Sequence, residues 1–521
     1  MPVDTTPSRT DVNPWIVAIA VMCATVMEIL DTTVVNVSLP HIAGSMSATV
    51  DEATWALTSY LVANAIILPI TGWMANYFGR KRLLMFAVFG FTGASVLCGI
   101  APNLPALILF RILQGASGGA LQPLSQAVML EAFPPHERGK AMAFWGLGVV
   151  VAPMLGPVLG GWLTDNYSWR WVFYINVPVG IASVIMTKLF IFDPPYIRRP
   201  KTGIDFWGIG LLTLGIAAAQ IVLDKGQEDD WLASHLILTL AVVCIFSLVL
   251  FIFWELYVPN PVVQLRIFKE RSYSTGVLLM TIVGFVLYGS LVMLPIFLQQ
   301  LLGYPAVQAG IAMFPRGLGS FVMMPLTGML LSKFDARKLL AIGVVGAAYS
   351  MWMLSAINLN AGFWDIFWPQ FLQGVSLSLL FVPLTTVTMA AISKEAMGNA
   401  TSMFNLLRNL GGSIGIAFAT TYVSRREQLH QSVLAAHVNA LNPVAQNTIG
   451  SIAGAMQAGG TDATLALQRA YGAIQGLVQR QAAMLSFLDT FRFMAIVFVL
   501  VLPLLLLLKR ARPGKSETPA H

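Results

Sequence analysis

Charge is scarce in this chain. Of its 521 residues, 11% are Asp, Glu, Lys or Arg, against about 25% in an ordinary soluble domain. That excludes a soluble fold of average composition. Cysteine is scarcer still: Cys23, Cys98 and Cys244 are odd in number and lie within apolar runs, so no disulfide framework is implied. The six histidines are scattered, and no metal-spaced group or nucleophile–base set emerges, which speaks against an enzyme and leaves no cofactor to place. No P-loop pattern occurs, and the longest segment outside the apolar runs, 424–487, is too short for a nucleotide-binding domain. Transport driven by ATP is excluded for this chain alone.

Apolar length is what the chain has instead, with 56% hydrophobic residues. Runs such as 234–256 supply the roughly 20 residues that cross a ~30 Å hydrocarbon core. Boundaries at Gly, Pro and charge clusters predict fourteen transmembrane helices, near 15–39, 53–75, 83–101, 105–130, 140–163, 169–192, 205–223, 234–256, 273–299, 306–331, 338–358, 364–391, 399–423 and 488–508. The first contains Glu28 and Asp31 and lacks a small-residue cleavage site after it, so it reads as a retained span. The class is an all-α polytopic membrane protein.

Of the 31 Lys and Arg, 21 fall on the side of the termini, 4 within spans (Arg111, Arg316, Arg408, Arg492) and 6 opposite. Clusters such as Arg80-Lys81-Arg82, Arg198-Arg199-Lys201 and Lys509-Arg510-Arg512 place both termini in the cytoplasm by the positive-inside rule. The net charge of +7 therefore reflects topology. Nucleic acid is not a partner, because no basic patch interleaved with aromatics exists.

The chain repeats itself. Pro69-Ile-Thr-Gly72 with Lys81-Arg82-Leu83-Leu84 recurs as Pro325-Leu-Thr-Gly328 with Arg337-Lys338-Leu339-Leu340, and Leu113-Gln114-Gly115 recurs as Leu372-Gln373-Gly374. Near-constant offsets mean two homologous halves, 1–192 and 266–521, with 193–265 a linker carrying two inserted helices. Parallel halves about an axis along the membrane normal are the arrangement expected of major facilitator transporters.

Several motifs carry a specific resemblance. Gly72-Trp-Met-Ala-Asn76-Tyr-Phe-Gly79-Arg80-Lys81-Arg82 resembles the signature loop of the major facilitator superfamily, and Arg111-Ile-Leu-Gln114-Gly115 its fourth-span motif. Gly148 with Pro153-Met-Leu-Gly156-Pro157-Val-Leu-Gly160 resembles the motif of its exporters. Leu30-Asp31-Thr32-Thr33-Val-Val-Asn36 is similar to the mark of the fourteen-span drug/proton antiporters of the EmrB/QacA type, and Trp169-Arg170-Trp171 through Pro178 fits the EmrB branch. The resemblance implies a major facilitator fold of two six-helix bundles plus two helices, and a proton-coupled multidrug antiporter exporting hydrophobic or cationic compounds across the cytoplasmic membrane. It also implies a periplasmic adaptor and outer-membrane channel as partners where the host has an outer membrane. The family usually has an acid where Asn76 stands, and a neutral amide cannot form that charge pair.

Within the membrane, charge is costly unless it faces a cavity or a partner. Glu28 and Asp31 are three apart and share a helix face. Counting ~1.5 Å per residue puts Asp31 ~25 Å and Arg111 ~20 Å from the cytoplasmic end, close enough to meet; these three are the expected proton-coupling residues. Asn36, Gln114, Gln126, Tyr288, Arg316, Gln370, Gln373, Asn405 and Arg408 are candidates for sparse polar contacts in a deformable cavity rich in Met and aromatics. Gly72, Asn76, Gly79, Arg80 and Lys81 are the expected gating loop. Gly148, Ala152, Gly156 and Gly160 leave one face of span 5 bare for close helix contact, with Pro153 and Pro157 allowing a bend; the resemblance implies that this face seals against span 11. Residues 424–487 are expected to form an extracytoplasmic element with a helix from about Asp462, capped there and showing Leu467, Tyr471, Ile474 and Val478 at a helical period.

Overall fold

The computed structural model describes residues 13–193, 205–259, 261–390 and 392–508; the basic clusters at 198–201 and 509–512 lie outside them. Its helices are, in order, α1 (Pro14–Ser45), α2 (Val50–Phe78), α3 (Arg80–Gly99), α4 (Leu104–Gly118), α5 (Leu121–Ala132), α6 (Arg138–Asn166), α7 (Trp171–Tyr174) and α8 (Asn176–Phe190). Then follow α9 (Phe206–Lys225) and α10 (His235–Tyr257). The remainder are α11 (Arg271–Ile296), α12 (Ala306–Leu330), α13 (Ala336–Leu354), α14 (Phe363–Ala390), α15 (Met397–Ala436), α16 (Pro443–Ala458) and α17 (Ala463–Val501). No strand occurs among the described residues. Eleven helical stretches among them are long and apolar enough to cross a membrane. The other three expected spans, 306–331, 338–358 and 399–423, are the helices α12, α13 and α15.

The helix ends are locally encoded. Asn13 accepts from the Trp15 amide ahead of Pro14, and Thr49 and Glu52 form a reciprocal capping box at the start of α2. Span 4 is interrupted between α4 and α5 where it crosses α2 most closely: a Cβ on Gly115 or Gly119 would come within 2.3 Å of the Tyr60 carbonyl or 2.5 Å of the Asn64 carbonyl. Outward faces are apolar and exposed, as at Phe86, Phe89, Phe246 and Phe253, which suits a lipid surroundings.

The end of the bundle where α1 begins and the α2–α3 turn lies is called the base, and the opposite end the crown. The first half (α1–α8) meets the second (α11–α17) along two seams, α2 on α15 and α6 on α12. At the base both seams are closed by the repeat glycines. A Cβ on Gly72 would sit 2.6 Å from the Asn399 backbone, and one on Gly328 3.1 Å from the Gly139 carbonyl. The bare face of span 5 does not seal against span 11, which is α13. Gly148 meets Met22, Gly156 meets Thr33 and Gly160 meets Val34, so the stripe packs on α1 within its own half, while α6 reaches the other half through α12 and α14. Pro153 and Pro157 both lie inside α6. Periodicity exposes a bare face but does not say which neighbour fills it.

The segment 424–487 is helical hairpin rather than loop. α15 continues through it to Ala436, α16 crosses, and α17 runs unbroken from its cap, Asp462, back into the bundle. Asp489 binds Arg426 and His430 where the two long helices meet. The inward stripe of α17 is Ala466, Ala470 and Ile474, against Ile449 and Ala453 of α16, with Val478 packed beside it. Leu467 and Tyr471 are instead exposed: α16 packs over the face that carries Ala470 and Ile474.

Candidate functional site

Span 1 turns two carboxylates into different surroundings. Asp31 is sealed inside the first half. Arg111 Nη1 donates to its Oδ2 at 2.5 Å, and Gln114 Nε2 and Asn176 Nδ2 donate to its Oδ1 at 2.9 and 2.7 Å. Ser95 accepts from both amides and is itself fixed by donating to the Phe173 carbonyl. Arg111 also donates to Gln114 Oε1 and to the Ala56 carbonyl, and lies 4.1 Å over the Tyr60 ring. Each member is buried, and side-chain amides share the pair's hydrogen bonds, which a buried ion pair needs to offset its desolvation, while Arg111 Nη2 has no hydrogen-bond partner among the described residues.

Glu28, one turn nearer the base, faces the space between the halves. A pocket of about 160 Å³ lies there. Its walls are Glu28, Ile29 and Thr32 of α1; Tyr60, Leu61, Asn64 and Ala65 of α2; Gln122 of α5; Gln220 of α9; Tyr288 of α11; and Asn409, Gly412, Ser413 and Ile416 of α15. Glu28 accepts from Gln122 at 2.6 Å, from Asn64 at 3.0 Å and from the Tyr60 hydroxyl at 3.5 Å. Tyr60 thus touches the pocket acid with its hydroxyl and the Arg111 guanidinium with its ring.

Two polar layers underlie the pocket and join the halves. Arg408 Nη2 of α15 donates to Gln122 Oε1 at 2.6 Å, and one turn nearer the base Asn405 Nδ2 donates to Gln126 Oε1 at 2.6 Å. Arg408 also binds Asn409 and lies 5.9 Å from the Trp145 ring.

Of the residues singled out in the sequence, Glu28 and Tyr288 line the pocket; Gln126, Asn405 and Arg408 lie beneath it. Gln114 belongs to the Asp31 network, and Asn36 is exposed on α1. Arg316, Gln370 and Gln373 form a separate buried cluster in the second half: the guanidinium donates to Gln370 Oε1 at 3.0 Å, to Gln373 Oε1 at 2.5 Å and weakly to Ser290. The repeat aligns Gln370 with Arg111 and Gln373 with Gln114, so the amide frame recurs while the cation comes from a different helix, α12. Sequence reading missed Tyr60, Asn64, Gln122 and Gln220. The only local signal was a polar group within an apolar run.

The signature loop is held mainly by its own half. Gly79 caps α2 at φ +89°, a conformation suited to glycine, and brings the next turn onto α5 and α8. Arg80 pairs with Glu131, the Lys81 amide donates to Asp193 at 2.9 Å and Lys81 Nζ to the Lys188 carbonyl at 2.6 Å. Asn76 is half-buried. Glu131 and Asp193 therefore supply acids to this loop even though position 76 has none.

The family model described as Major Facilitator Superfamily matches residues 21–416. The chain is 41% identical over 435 residues to the multidrug export protein EmrB of Haemophilus influenzae, covering 83% of this chain and 85% of that one. It is 38% identical over 490 residues to EmrB of Escherichia coli, covering 94% of each, and 38% identical over 496 residues to the fatty acid resistance protein FarB of Neisseria gonorrhoeae, covering 95% and 96%. Among solved structures, the proton:xylose symporter XylE superposes with a TM-score of 0.61 at 15% identity, covering 95% of this chain and 96% of that one. The human organic anion transporter MFSD10 does so with 0.62 at 13%, covering 94% and 99%; both likenesses speak for the fold. With a family match across three quarters of its length and full-length relatives well above 30% identity, the chain belongs to the Major Facilitator Superfamily of membrane transporters, among its EmrB-like members.

Proposed function

We propose that the chain is a fourteen-span antiporter that exports hydrophobic or cationic drug-like compounds across the cytoplasmic membrane in exchange for protons, with both termini cytoplasmic. The observation that carries the reading is Glu28, a carboxylate on the wall of a largely apolar pocket between the halves, joined through one amide to a cation of the opposite half. Cargo and proton compete for such a carboxylate, because a bound cation favours its ionised form. On this reading the closed base is the cytoplasmic side, and rocking of the halves transfers the pocket from one face to the other. Asp31 is the main proton carrier and Arg111 its partner in the buried pair; Glu28 admits cationic cargo.

The relatives named for multidrug export and fatty acid resistance support a lipophilic cargo. The driving force suffices: each charge crossing gains ~2.3 kcal/mol per 100 mV, and ~1.4 kcal/mol is a tenfold concentration ratio. The hairpin α15–α17 stands at the extracytoplasmic face, where a periplasmic adaptor leading to an outer-membrane channel docks if the host has an outer membrane. No cofactor takes part. Everted vesicles test the reading with a lipophilic cationic dye. Accumulation that requires an acidic interior is expected; equal accumulation without a proton gradient overturns proton coupling, and conversion of the dye to a product overturns transport.

A further inference from the structure

The inserted pair α9–α10 is not a passive spacer. α9 covers the α2–α15 seam, the seam on which the Glu28 pocket lies, and Gln220 of α9 is part of the pocket wall. Its contacts divide into two zones. Toward the base, Leu212 and Ile216 join an apolar cluster with Leu68 of α2 and Leu406 of α15. Toward the crown, beside the pocket, the insert is hydrogen-bonded to α15. Gln220 Nε2 donates to Ser413 Oγ at 3.1 Å, and Trp231 Nε1, just past the helix, donates to Thr421 Oγ1 at 3.1 Å. On the α2 side the same end is anchored by charged groups: Thr58 donates to Asp224, and Lys225 Nζ donates to Thr54 at 2.7 Å.

We infer that α9 is a lateral gate of the pocket, swinging with the first half about its apolar lower part and parting from α15 at Gln220–Ser413 to connect the pocket with the bilayer. The asymmetry sets where it opens. Amide–hydroxyl bonds between membrane helices are weak, because each partner finds substitutes when separated. The charged anchors to α2 are costlier to expose. Gln220 therefore has two jobs: closing the gate, and offering an amide to cargo that has entered. Cargo of this route is amphiphilic and dissolved in lipid, and the inference rests on the export reading above for its direction.

The test uses the full chain with its three native cysteines replaced by serine and with Gln220→Cys and Ser413→Cys introduced. In proteoliposomes, cross-linking the pair is expected to reduce export of a lipophilic cationic dye at least tenfold and a reductant to restore it. Undiminished export after complete cross-linking overturns the gate. A second measurement does not depend on export. Spin labels on the same two cysteines in lipid nanodiscs are expected to show a second, longer distance when dye is added. A single unchanged distance overturns the gate, whereas a lengthening in a protein that exports nothing supports the gate and counts against the export reading instead.

Discussion

Glu28 of α1 and Arg408 of α15 lie on opposite halves and share one side chain: the Gln122 amide nitrogen donates to the carboxylate at 2.6 Å while its oxygen accepts from the guanidinium at 2.6 Å. An amide can donate and accept at once while remaining neutral. The ionisation of Glu28 is thereby felt on the far side of the seam, through two bonds of ~1.5–3 kcal/mol each. Gln122→Leu keeps the volume and removes both bonds. Export is expected to fall at least tenfold with the protein still folded, as measured in vesicles and by gel filtration. Normal export would remove Gln122 from the coupling path.

Asp31→Asn is expected to abolish substrate-induced proton release by the purified protein. It also leaves Arg111 buried without its counter-charge, at a cost of roughly 3–5 kcal/mol. A lowered unfolding temperature is therefore expected, and Asp31→Asn combined with Arg111→Gln should recover part of it. Proton release that persists in Asp31→Asn refutes the carrier role.

Glu28→Gln retains a polar group in the pocket but no charge. Export of lipophilic cations should drop about tenfold or more, since one lost charged contact is worth ~1.5–3 kcal/mol, while neutral cargo is little affected. Equal loss for both cargo types contradicts the assigned role.

The base seams rank two glycine variants. Gly72→Ala drives a methyl to 2.6 Å of the Asn399 backbone, which must shift, whereas Gly328→Ala meets the Gly139 carbonyl at 3.1 Å and the Ala143 methyl at 3.2 Å, a smaller adjustment. Spin labels across the base should report more opening in Gly72→Ala than in Gly328→Ala, with export impaired in the same order. The reverse order refutes this account of closure.

What the sequence made legible was whatever a single segment carries. Long apolar runs became helices, Asp462 capped α17, and counting heights along spans 1 and 4 brought Asp31 to Arg111. What it concealed were choices of partner. Four small residues marked a bare face on α6, yet α1 fills it. Of the expected stripe on α17, Ile474 and Val478 do face α16 while Leu467 and Tyr471 are exposed, and the small Ala470 takes their place in the contact. Gln122 and Gln220 are neutral amides in largely apolar runs; their partners, Arg408 and Ser413, are nearly 300 and 200 residues away in sequence. The charge placement of the second half was hidden for the same reason, since Arg316 arrives from α12 onto an amide frame that the repeat made visible.

α15 and α17 have 40 and 39 residues. At ~1.5 Å per residue each is ~60 Å long, about twice the hydrocarbon thickness. Neither breaks on leaving the bundle, and Asp489 ties them where they part. The hairpin therefore behaves as a lever arm fixed to the second half. A tilt of about 10° displaces the tip of a ~30 Å projection by on the order of 5 Å. If the halves rock as proposed, such a tilt moves any body resting on that tip in step with the cargo.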